Sequence, residues 1–139
     1  MHTIPVKRKP GEINPEVRDQ AFSVQKAADR IRRNRKAQDQ KLQERRQQAQ
    51  GLGRKIAVEL GAADSSLEKV IGFGSTWEIW RRYREDSDID LALIGGDWFK
   101  LMRHVPDGEF QVSLVELMQQ NPEFISYVLE HGEVLYEKQ

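Results

Sequence analysis

"GFGSTWEIWRRYREDSDIDL", Gly72 to Leu91, sets a glycine-serine turn ahead of a strand that carries two carboxylates. Side chains alternate along a strand, so Asp88 and Asp90 are expected on one face and Ile89, Leu91 and Leu93 on the other, turned into a core. Two carboxylates side by side at a partly buried edge repel each other. A divalent cation removes that cost, and Mg²⁺ is commonly held by one or two carboxylates together with the phosphates of a substrate. Just upstream, "KVIGF" (Lys69 to Phe73) is expected to form a short apolar strand that ends at Gly74 and Ser75. Backbone N–H groups and a hydroxyl at that point suit a phosphate, held at the start of a following helix.

Downstream, "GGDWFKLMRHV" predicts a turn and a short helix whose Trp98, Leu101 and Met102 belong to the core. "FQVSLVEL" (Phe110 to Leu117) predicts a third strand, with Val112 and Leu114 on one face and Gln111, Ser113 and Val115 on the other. Residues 122–131 predict a helix that starts at Pro122 after the Asn121 cap, with Gly132 in a left-handed terminal position. Upstream, a helix should start at Pro15 after Asn14, and Val17, Ala21, Val24, Ala28 and Ile31 form one apolar stripe. The same spacing then reaches Arg35, Gln38, Leu42, Arg45 and Ala49, so "RRNRKAQDQKLQERRQQAQ" has almost no buried face of its own. Such a segment is a solvated or self-packed helix, or an arm that lies against RNA or a protein. Gly51 and Gly53 are expected to interrupt or end it, since glycine costs about 1 kcal/mol relative to alanine inside a helix. "LGRKIAVELGA" then supplies a short apolar helix closed by Gly61. The expected organisation is a flexible lead (1–14), a basic helical extension (15–50) and a domain over 51–139.

A chain of 139 residues can bury one modest core. Without cysteine, neither disulfides nor thiolate metal sites arise. No run approaches the ~18 apolar residues of a membrane span, and the N-terminus lacks the apolar region of a secretion signal, so a cytoplasmic location is the default. The formal net charge of zero hides a division: residues 1–55 hold 15 Lys+Arg against 6 Asp+Glu, and residues 56–139 hold 7 against 16. A basic arm on an acidic module suits nucleic acid, an acidic partner, or the module itself. His104 and His131 have no second ligand at metal-binding spacing.

In the order strand, Gly-Ser, helix, Ser-Asp-x-Asp-Leu, strand, the chain resembles the minimal nucleotidyltransferases of the DNA polymerase β superfamily. The resemblance runs from about Ile56 to Lys138 and includes "NPEFISYVLEHGEVLYE" (Asn121 to Glu137), similar to that family's closing helix, glycine and terminal strand. The bland alternative is that Asp88 and Asp90 decorate the solvated face of a strand. The resemblance implies an α+β fold, a small mixed β-sheet flanked by helices, here with a long N-terminal helical extension. It also implies that Gly74 and Ser75 hold the triphosphate of ATP or another nucleotide, and that Asp88 and Asp90 are catalytic and ligate Mg²⁺. Within the family the chain looks like the antitoxin of toxin–antitoxin pairs, whose members transfer AMP from ATP to a tyrosine of a HEPN-type toxin.

Two departures stand out. The family's third carboxylate, on the next strand, is replaced here by Ser113, and a lost general base slows a reaction by ~10²–10⁴. Glu109 and Glu116 are poor substitutes, one too distant along the strand and the other on the opposite face. Between Ser75 and Asp88, "TWEIWRRYRED" lacks the family's small residue. Its Trp77, Trp80 and Tyr83 are expected to be a packing stripe of a helix, and Arg81, Arg82 and Arg84 lie where a triphosphate would be contacted or face water. The competing expectation is therefore a catalytically weakened or inactive module that binds a protein or RNA through its basic helix.

Overall fold

A computed structural model describes residues 15–139; the expected lead and the Asn14 cap lie outside the described residues. The elements are helix α1 (Pro15–Ala63), strands β1 (Leu67–Phe73) and β2 (Ile89–Gly95), helix α2 (Trp98–Met102), strand β3 (Val112–Glu116), helix α3 (Pro122–His131) and strand β4 (Glu133–Glu137). The sheet order is β3-β2-β1-β4, with β1 antiparallel to both β2 and β4 and β3 parallel to β2. This is the expected mixed sheet with flanking helices and a long N-terminal helix. Among the described residues no helix is long and apolar enough to cross a membrane.

Two compact units divide at Gln40. In the first, the described side chains of α1 are largely solvated, with Phe22, Val24 and Ile31 exposed and Asp29 bonded to Gln25 and Arg32 on its own helix. The second unit, Gln40–Gln139, contains the sheet and the rest of α1. Within it Arg46, Ala49, Gly53, Ile56 and Leu60 recur at spacings of three and four and are all buried.

The sheet has two buried faces. Val70, Leu91, Leu93 and Leu114 meet α1 through Ala49, Ile56, Ala57 and Leu60, together with Leu101 of α2. On the opposite face Ile71 and Ala92 meet Val128 of α3 and Leu117. Ile89, Leu91 and Leu93 thus enter the core, as the alternation requires. Asp90 belongs to the α3 face, because its register partners are Phe73 on β1 and Ser113 on β3.

Three glycine expectations are corrected, the first being that Gly61 does not close a helix, since α1 runs past it to Ala63. Helix α1 runs unbroken through Gly51 and Gly53. Gly53 is there for space: a Cβ would lie 2.4 Å from Cζ2 of buried Trp77, and one on Gly72 would lie 2.6 Å from the same indole. Trp77 is seated between two backbones that only glycine leaves open. Gly132 follows α3 with φ −73, not left-handed, and a Cβ there would meet Ile71 Cγ2 at 2.4 Å and the Val128 carbonyl oxygen at 2.5 Å.

The helical glycines therefore respond oppositely to alanine. Nothing lies within 4 Å of a Cβ on Gly51, so Gly51→Ala should stabilise the protein by ~0.5–1 kcal/mol through helix propensity. Gly53→Ala should destabilise it by ~1 kcal/mol or more, because overpacking of ~1–3 kcal/mol outweighs the same propensity gain. Chemical denaturation of the two variants checks this.

Candidate active site

Strand β1 ends at Phe73, and Gly74 turns the chain with φ +79, a left-handed conformation that glycine takes without steric cost. Space is also short here, since a Cβ on Gly74 would lie 2.5 Å from Asp90 Oδ2. The N–H groups of Trp77 and Glu78 both donate to the Gly74 carbonyl, at 3.1 and 2.9 Å, and make a single turn. No helix follows. Residues 74–88 form a turn-rich loop, which corrects the expected helix and its phosphate site at a helix start.

The reason lies in α1. Arg46 is only 6% exposed, and its guanidinium donates to the carbonyls of Ser75 (2.9 Å), Glu78 (2.8 Å) and Arg81 (3.2 Å). Gln50, one turn along, donates to the Thr76 carbonyl at 2.8 Å. The acceptors that a helix would satisfy internally are taken by side chains of another element. Two hydroxyls close the loop: Ser75 Oγ bonds Ser87 Oγ at 3.0 Å, and Thr76 Oγ1 donates to the Asp88 carbonyl at 2.8 Å. The expected stripe divides accordingly, with Trp77 and Tyr83 buried and Trp80 exposed.

These contacts bring the start of the loop against the start of β2. Asp88 is exposed one residue before the strand, and Asp90 is half-buried on it. Asp90 lines a cleft of about 340 Å³ with Phe73, Gly74, Glu78, Arg81, Phe124 and Tyr127. Burial, then the charge of Asp88, then that of Glu78, pushes the Asp90 carboxyl from its ordinary 3.8 up to about 6, with Arg81 pulling the other way. The Phe73 and Phe124 rings meet edge to face at 5.4 Å on one wall of this cleft. On the other, Arg81 lies over the Tyr127 ring at 5.6 Å and donates to its hydroxyl at 3.0 Å.

Ser113 is the register partner of Asp90, which puts a hydroxyl where the alignment by resemblance expects a third carboxylate. Glu109 is paired with Arg45 at 3.1 Å, and Glu116 is exposed at the end of β3. Of the three arginines, Arg81 lines the cleft while Arg82 and Arg84 are exposed. His131 packs against the rings of Trp80 and Tyr127.

A Gly-Ser turn leads through a loop to an Asp-x-Asp strand, which pairs antiparallel with the strand before the turn and parallel with the third. Motif order and sheet topology are those that the resemblance implies. No protein-family model matches it, and no curated protein matches it. Among solved structures it is similar to a mutant form of the toxin–antitoxin MntA–HpeT, at 22% identity over 63% of this chain and 74% of that one, TM-score 0.48. It is similar also to a toxin–antitoxin solved with AMP-PNP, at 22% identity over 62% and 74%, TM-score 0.49.

Sequence reasoning did not single out Glu78, Arg46 or Tyr127. Glu78 is 1% exposed and accepts hydrogen bonds from the Gly74 N–H and the Tyr127 hydroxyl. A signal for it existed: an acid lies three residues after Ser75, inside an otherwise apolar run.

A carboxyl held at a raised pKa in the folded state contributes stability at acid pH that is lost as pH rises through about 6. Asp90→Asn removes that loss. The full shift corresponds to at most ~3 kcal/mol, and solvent screening at a half-buried group reduces it to ~1. Asp90→Asn should therefore be more stable than the wild type at pH 7.5 and equal to it near pH 4, in urea melts without divalent cations.

Proposed function

We propose that this chain transfers AMP from ATP to a partner protein, acting in the cytoplasm as the antitoxin of a toxin–antitoxin pair whose toxin is of the HEPN type. The observation that carries the proposal is the half-buried Asp90, close to Asp88 and beside the Gly74 turn, at the mouth of a cleft large enough for part of a nucleotide. A carboxyl whose ionisation is resisted by burial and by a neighbouring anion fits a cation, which relieves both penalties. Asp88 and Asp90 would hold Mg²⁺, which supplies positive charge to the reacting phosphate. Among the described residues no three His, Cys, Asp or Glu side chains form a metal cluster, so phosphate oxygens and water would complete the ligand set.

The chain's own groups do the rest. The amide of half-buried Ser75 donates to no acceptor among the described residues and would serve a phosphate oxygen, together with its hydroxyl, which would turn from Ser87. Arg81 adds a guanidinium within the cleft. Phe73 and Phe124 offer an apolar wall that excludes water.

The test uses the full chain with ATP, Mg²⁺ and the product of an adjacent reading frame. Wild type should transfer AMP, and Asp88→Asn and Asp90→Asn should each lower transfer by at least a hundredfold. AMP-PNP with Mg²⁺ should raise the melting temperature of the wild type, by the equivalent of ~2.7 kcal/mol at a hundredfold excess over Kd, and should leave both variants unmoved. A wild type with no Mg²⁺-dependent shift has no nucleotide site.

Ser113 beside Asp90 favours a second reading, a module that binds a protein or RNA through its basic helix. Partner capture by a wild type that neither binds AMP-PNP nor transfers AMP would support it.

A further inference from the structure

Glu78 is the most buried carboxylate among the described residues and lines the same cleft as Asp90. Three donors surround it: the Gly74 N–H, the Tyr127 hydroxyl and Arg81, whose Nε lies 3.4 Å from Oε1. Both of its oxygens serve as acceptors. One of these donors is a hydroxyl, bonded to Oε1 inside the cleft. Ser113, the neighbour of Asp90 in the sheet, cannot accept a proton at neutral pH, and Glu109 is engaged by Arg45. Besides Asp90, Glu78 is the carboxylate that lines this cleft.

We infer that Glu78 is the general base of the transfer reaction, supplied from the 74–88 loop in place of a carboxylate at Ser113, and that the Tyr127 hydroxyl occupies the position of the incoming acceptor hydroxyl. This rests on the transfer activity proposed above. The acceptor hydroxyl displaces that of Tyr127 and gives its proton to Glu78 Oε1. Its oxygen forms the bond to the α-phosphorus as the bond from that phosphorus to the bridging oxygen breaks, and pyrophosphate leaves with the electron pair. Arg81 faces both Glu78 and Tyr127 and holds this carboxylate at the cleft wall.

The experiment compares wild type, Glu78→Gln, Ser113→Asp and the double variant, each as the full chain, for AMP transfer with ATP and Mg²⁺ and for AMP-PNP affinity. Glu78→Gln keeps the size of the side chain and an acceptor for the Gly74 N–H. Its transfer should fall by ~10²–10⁴ while its AMP-PNP Kd stays within about threefold of wild type. Ser113→Asp in the Glu78→Gln background should recover transfer at least ~10-fold, because a base returns on the neighbouring strand. Full activity in Glu78→Gln overturns the inference. So does a double variant no better than Glu78→Gln, or a loss of AMP-PNP affinity as large as the loss of transfer, since Glu78 would then only hold the turn. If Glu78→Gln does not fold, Ser113→Asp alone decides: a gain below ~10-fold agrees with a base already present, and a gain of ~10-fold or more overturns it. A wild type that neither binds AMP-PNP nor transfers AMP overturns the transfer reading itself, and this inference with it.

Discussion

One guanidinium holds the site together. Arg46 is buried on α1 and reaches the carbonyls of Ser75, Glu78 and Arg81, three acceptors on a loop that has little secondary structure to satisfy them. Arginine suits this position because its planar fork presents several N–H donors in fixed directions and stays charged. Removing it would take this donor from the part-buried Ser75 and Arg81 carbonyls, while the Glu78 carbonyl would keep the Arg81 N–H. Gly74, Ser75 and Glu78 sit on that loop, so the placement of the cleft's polar groups depends on a residue that does not line it.

The electrostatics of the cleft follow from the same arrangement. Asp88, Asp90 and Glu78 bring negative charge close together, and Arg81 is the cation among them. Glu78 is compensated by three donors, while Asp90 is left with burial and two like charges. The two carboxylates are thereby differentiated by their surroundings: one is met by three donors, and the other is held at a raised pKa by burial and like charge, against the pull of Arg81.

Much of the fold was legible because the informative residues act locally. Asn121 caps α3 through its own side chain, accepting from the Phe124 N–H at 2.8 Å, and Pro122 at the first helical position needs no donor. The alternation of Ile89, Leu91 and Leu93 requires only that one face of β2 be buried. The basic run of α1 left its contacts open for the opposite reason. Arg45 and Arg46 look like solvated charges until residues some thirty to sixty positions away supply the Glu85, Glu109 and loop carbonyls that they bind.

By itself, then, the sequence determined the strand order along the chain, the Gly-Ser and Asp-x-Asp elements and the N-cap of α3, since each is expressed in spacing or residue type. Tertiary structure alone decided that Gly53 is a seat for Trp77 and not a helix end, and that residues after Ser75 form a loop and not a helix. It also decided that Glu78 joins Asp90 in one cleft. Local propensity contains no information about a donor arriving from another element, and the long-range contacts of Arg46 outweigh the helical preference of the residues they bind.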